Sequence, residues 1–147
     1  MKYSILAGSL NKMESTTKRL ELTQHLVELF EKTPEDVISQ IVYLLQGKLR
    51  PDFEGIELGV AEKLAIRAIA KSSGIAVKKI EQEYRKTGDL GQAATIILEQ
   101  KTQTTFLVED ISVERVYETL FKIARLEGAR SQDMKMKYIS SLLNDAT

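Results

Sequence analysis

Apolar residues recur along this chain at helical spacing from one end to the other. Residues 3 to about 12 read as a short helix with Ile5, Leu6 and Leu10 inward. Thr16 or Thr17 can cap the next helix, which runs to about residue 32. Its inward row is Leu22, Leu26 and Leu29, widened by Val27 and Phe30. Thr33 is a natural N-cap with Pro34 at the first helical position, and Val37, Ile38, Ile41, Val42 and Leu45 follow as a broad apolar face that Gly47 ends. Residues 48 to 57 read as loop, broken by Pro51. The stretch from Phe53 to Gly74 then opens as a loop around Gly55 and Gly59. It continues as a helix with Val60, Leu64, Ala68 and Ile69 on one side and Lys63, Arg67 and Lys71 along a basic edge.

The second half repeats the pattern. A helix from about 76 to 86 has Val77, Ile80 and Tyr84 inward and ends at Gly88, just as Gly74 ends the one before it. Asp89 caps a helix that buries Leu90, Ala93, Ala94, Ile97 and Leu98. Residues 99 to 105 are polar and threonine-rich and read as an exposed loop, and 106 to 111 as extended. Ser112 caps the cleanest amphipathic pattern in the chain: Val113, Val116, Tyr117, Leu120, Ile123 and Ala124, stopped by Gly128. Ser131 caps a last helix with Met136, Ile139 and Leu143 inward. No stretch alternates convincingly enough for a strand. The expected fold is all-α, a bundle-like domain of about eight helices joined by short loops.

Composition narrows the partners. With 147 residues and 43% hydrophobic content, the chain is one domain's worth of sequence or part of one. Lys and Arg total 21, Asp and Glu total 21, and the net charge is zero. Any contact with nucleic acid must therefore use local basic patches. There is no cysteine, hence neither a disulfide nor a thiolate metal site, and a reduced cytoplasmic setting fits. No run approaches the ~20 apolar residues of a membrane span.

Two patches stand out. Between Arg125 and Lys137 there are four cations against Glu127 and Asp133, a local excess of two. Within it, Gly128, Arg130, Ser131, Gln132, Lys135 and Lys137 surround a helix start, where free amides and the positive end of the dipole suit a phosphate. The same residues would equally make an ordinary capped helix with solvated lysines. The second patch sets Lys71, Lys78, Lys79, Arg85 and Lys86 against Glu81 and Glu83, an excess of three. It suits phosphate contact, or simply a solvated helix face. Glu21, His25 and Glu28 share a helix face, but a lone histidine in the order His-x-x-Glu reads as surface rather than metal site.

Three segments carry a family resemblance. Gly55-Ile-Glu-Leu-Gly59 leading into an apolar helix, Lys86-Thr-Gly-Asp-Leu-Gly91, and Phe121 to Gly128 followed by Ser131-Gln-Asp-Met-Lys135 occur in one order over most of the chain. Together they resemble the N-terminal DNA-binding domain of archaeal and eukaryotic-type ATP-dependent DNA ligases. The resemblance implies a cytoplasmic, nucleoid-associated protein of DNA replication, repair and recombination. It implies non-sequence-specific binding of nicked duplex DNA, with the turn at Gly128 to Ser131 on the minor-groove side. Where the family often has glycine before the serine, this chain has Arg130. The resemblance also implies that the chain is a piece of a longer ligase, with nucleotidyltransferase and OB-fold domains elsewhere.

The catalytic residues are not expected here. The ligase nucleophile sits in Lys-x-Asp-Gly. This chain has only Lys86-Thr-Gly-Asp89, with the last two residues exchanged. ATP and Mg2+ are thus expected for the parent ligase, and no cofactor, metal or catalytic residue for this segment. Gln103-Thr-Thr-Phe106-Leu107 resembles a shortened sliding-clamp-binding motif, with Phe106 and Leu107 as the plug; the other reading tucks both into this chain's own core. The competing class for the whole chain is an α-helical protein-interaction module that does not bind DNA.

Overall fold

The computed structural model describes residues 1–101 and 110–146. Among them are eight α-helices and no strand: α1 (Tyr3–Glu14), α2 (Arg19–Glu31), α3 (Ile38–Leu45), α4 (Glu62–Ser73), α5 (Val77–Thr87), α6 (Leu90–Glu99), α7 (Val113–Ala124) and α8 (Ser131–Ala146). The all-α expectation holds. The described residues divide into two compact units, each with its own core.

The first unit comprises Met1–Leu58 and Asp110–Ala124. Leu6, Leu29, Val37, Ile41 and Val113 are buried together, one from each of α1, α2, the turn before α3, α3 and α7. The N-terminal residues pair with the segment before α7: Val113 N donates to the Met1 carbonyl at 2.8 Å and Tyr3 N to Ile111 at 2.8 Å. Ser112 caps α7 as expected, its Oγ accepting from Arg115 N at 3.1 Å. Thr33 does not cap α3. Its hydroxyl donates back to the Leu29 carbonyl at 2.8 Å, tying off the end of α2. Pro34 is extended, and a 3₁₀ turn, Glu35–Val37, precedes α3. A hydroxyl next to an unsatisfied helix carbonyl takes that nearer partner first. A second 3₁₀ turn, Asp52–Glu54, lies in the loop read from Pro51 and carries Phe53 outward at 88% exposure.

The second unit takes α4, α5, α6 and α8, the described residues of 59–109 and 125–147. Ile66, Ile69, Ile80 and Ile97 form its core, with Tyr84, Leu90 and Leu143 packed against it. Gly74 and Gly88 close α4 and α5 in the left-handed conformation, and the Asp89 carboxylate accepts from Gln92 N at 2.7 Å to start α6. The helix read from Val60 begins at Glu62, so Val60 lies in the approach to it. Ile66 is buried although it falls outside the apolar row read from the sequence, and Val77, expected inward, is exposed.

Candidate nucleic-acid interface

Five side-chain bonds set the directions of the four helices in the second unit. Lys135, in the second turn of α8, donates from Nζ to the Gly59 carbonyl, just before α4, at 3.1 Å. At the other end of the same pair, Ser72 Oγ of α4 bonds Asn144 Oδ1 of α8 at 2.8 Å. The two helices therefore run parallel. Tyr84, near the end of α5, donates to Glu62, the first residue of α4, at 3.1 Å, so α5 runs back against α4. Lys79 near the start of α5 reaches Gln100 just after α6 at 3.4 Å, and Lys101 reaches Asn144 at 2.8 Å. Hence α6 runs with α4 and α8.

One end of this unit accordingly gathers the starts of α4, α6 and α8 with the end of α5. Each start carries unsatisfied backbone N–H groups and about half a positive charge from the helix dipole. Dipoles gathered this way favour an anion, although each start also carries a carboxylate: Glu62 on α4, the capping Asp89 on α6 and Asp133 on α8.

The expected site residues distribute unevenly over it. Gly128, Arg130, Ser131 and Gln132 lie at the gathered end, in the turn and first helical residues of α8. Arg130 rather than Ser131 takes the capping place, its carbonyl accepting from Met134 N at 3.3 Å. Lys86 lies at this end too, in the last turn of α5, and is ion-paired to Glu83 at 2.7 Å. Lys78 and Lys79 do not join them. They stand at the opposite end, at the start of α5, about 12 Å from Lys86 at helical rise. A continuous Lys78–Lys86 patch is thereby corrected, because residues eight apart share a stripe of the helix but not a turn.

Lys135 is also corrected. The sequence places it with Arg130 and Lys137 as a phosphate-facing cation, whereas it is only 8% exposed and its ammonium is turned in toward Gly59. A signal was present in the sequence: Lys135 lies four residues before the inward Ile139 and therefore on the same row. Lys137, two residues on, is exposed. Among the described residues, neither Arg130 nor Lys137 has an ion-pair partner. The basic edge of α4 is as read, with Lys63, Arg67 and Lys71 all exposed, Lys63 at the gathered end.

Tyr84 contributes order here. Its hydrogen bond to Glu62, and then the charge of that carboxylate, push the phenol above its ordinary pKa, so it remains a neutral donor. In the first unit, His25 Nδ1 stands 3.9 Å from Glu28, while Glu21 accepts from Thr16 and Lys18 instead. Gln103, Phe106 and Leu107 lie outside the described residues. None of the described helices is long and apolar enough to cross a membrane.

Comparison with known proteins gives the family of the chain. A family model described as DNA ligase N terminus matches residues 2–147. The chain is 85% identical over 147 residues to a DNA ligase of Nitrosopumilus maritimus, and 73% identical over 147 residues to one of Cenarchaeum symbiosum. A DNA ligase of Thermococcus onnurineus is 37% identical over 146 residues. These alignments cover 100%, 100% and 99% of the chain but 25%, 25% and 26% of those proteins, so the chain spans about a quarter of their length.

Proposed function

Because the chain belongs to the DNA ligase N-terminus family, we propose that it is the duplex-holding module of an ATP-dependent DNA ligase. It grips nicked DNA through phosphate and sugar contacts without reading base sequence. The observation that carries the reading is the gathering of three helix starts with Arg130 and Lys86 at one end of the second unit. The backbone amides of Gln132 and Asp133, at the start of α8, meet phosphate oxygens, while that of Ser131 is held by the Gly128 carbonyl. Arg130 and Lys137 supply mobile cations, and the turn at Gly128 lets the backbone approach the minor-groove side. Lys78 and Lys79, at the far end, are left out of this contact. The lysine nucleophile, ATP and Mg2+ belong on this reading to the rest of the ligase, since no Lys-x-Asp-Gly occurs here.

The test is affinity for a nicked duplex as a function of salt. Binding should weaken steeply as salt rises, because each neutralised phosphate releases condensed counterions. Arg130→Ala with Lys137→Ala should flatten the logarithmic salt slope by about one per lost contact, whereas Lys79→Ala should leave it unchanged. Absence of salt-sensitive binding, or an equal loss from Lys79→Ala, would overturn the reading in favour of a protein-interaction module.

The same reading assigns Gln103, Phe106 and Leu107 to a sliding clamp, on the strength of their motif alone. Phe106→Ala should abolish clamp binding and leave the melting temperature unchanged. A large drop in melting temperature would mark Phe106 as a core residue instead.

A further inference from the structure

A lysine in the second turn of a helix adds positive charge where the dipole is already positive, which is unfavourable. Burying its ammonium adds a desolvation cost. Lys135 does both, at 8% exposure, and among the described residues no carboxylate is ion-paired to it. Its ammonium donates to the carbonyl of Gly59, at 3.1 Å. Gly59 is itself specialised, with φ +61, and a Cβ built there would stand 3.0 Å from the Lys135 Nζ. The left-handed backbone favours glycine, and any Cβ there would have to push the end of the Lys135 side chain off its place.

The bond joins two helix starts. Gly59 lies three residues before α4, and Lys135 lies four residues into α8. Ser72 and Asn144 join the same two helices at their other ends. A parallel pair pinned at both ends cannot slide along its own axis. A slip by one helical turn would displace the turn at Gly128 to Gln132 from the start of α4 by about 5.4 Å.

We propose that Lys135 is a positioning residue of the DNA interface: its ammonium, locked on the Gly59 carbonyl, sets the start of α8 level with the start of α4 and does not itself touch phosphate. The proposal rests on the duplex-holding function above, and it assigns Lys135 a role different from that of Arg130 and Lys137. It also gives Gly59 a part in DNA binding as the receptor of the lock.

The test combines labelling with a double-mutant cycle on the whole chain. In the free chain, an amine-acylating reagent should modify Lys137 quickly and Lys135 slowly, and a nicked duplex should protect Lys137. Equal labelling of the two lysines would overturn the proposal, and this measurement needs no variant to fold. Gly59→Ala keeps every charge but disturbs the lock. It should weaken binding of a nicked duplex by roughly 3- to 10-fold with the salt slope unchanged. Lys135→Met should weaken it comparably, and the double variant should be no worse than the weaker single variant, since both remove one device. Unchanged affinity in Gly59→Ala, or losses that multiply in the double variant, would overturn the proposal. Failure of the parent reading looks different: the unaltered chain would then show no salt-sensitive binding at all.

Discussion

Glu114 shows how one side chain in the first unit couples charge to the fold. Its carboxylate accepts from the Met1 ammonium through both oxygens at 3.0 Å. Burial acts to raise its pKa, but a bond from its own backbone amide, the bond from the ammonium and the ammonium's charge outweigh burial and hold it low. A carboxyl whose folded pKa is depressed contributes stability that is complete above its ordinary titration range and is lost as pH falls through the lowered value. Glu114→Gln should therefore be less stable than the parent at neutral pH, and the gap should close on acidification through the carboxylate range. Urea unfolding of both proteins across that range checks this, and a gap that stays constant would show that the pair adds nothing. At the same scale, Asp89, Ser112, Gly74 and Gly88 were legible from sequence because each acts on backbone groups within four residues of itself. Thr33 was misread for a related reason: two local partners competed for one hydroxyl, and the carbonyl of Leu29 took it.

Between elements, α4 is the helix the second unit is built on. Ile66 and Ile69 face the core shared with α5 and α6, while Leu64, Ala68 and Ser72 form a row that ends on Asn144 of α8. A helix covered from several sides leaves only its Lys63, Arg67 and Lys71 edge in solvent, which is why a single apolar stripe failed to include Ile66. Small residues mark this row: Ser72 bonds Asn144 of α8, and Ala68, one turn before it, is fully buried. A fully buried alanine leaves no room for three more carbons, so Ala68→Leu should cost about 1–3 kcal/mol, read by chemical denaturation. A neutral result would mean that the α4–α8 contact is loose, and with it the alignment of their starts.

At the scale of the whole molecule, the described residues form two cores rather than one. Ile41 belongs to the first cluster and Ile97 to the second, and the clusters share no member. Ile41→Val and Ile97→Val should each cost about 0.5–1.5 kcal/mol, and the double variant should equal their sum to within about 0.5 kcal/mol. Strong coupling between them, measured by the same denaturation cycle, would show that the two clusters behave as one core. Helical periodicity does not reveal this division, because every helix presents an apolar face whichever core it joins. Nor does chain order, since α7 belongs with α1 to α3 and α8 with α4 to α6.

By itself the sequence determined the all-α class, the caps of α6 and α7, the glycine stops of α4 and α5 and, through three short segments in order, the ligase family. All of these rest on interactions within a few residues or on the identity of the residues themselves. The tertiary structure alone decided which cations stand together. It brought Lys86 to the same end as Arg130, sent Lys78 and Lys79 to the other, and turned Lys135 inward to Gly59, 76 residues away in the chain. A count of charge along a sequence carries no direction, whereas the parallel course of α4, α6 and α8 follows from bonds between residues far apart in the chain.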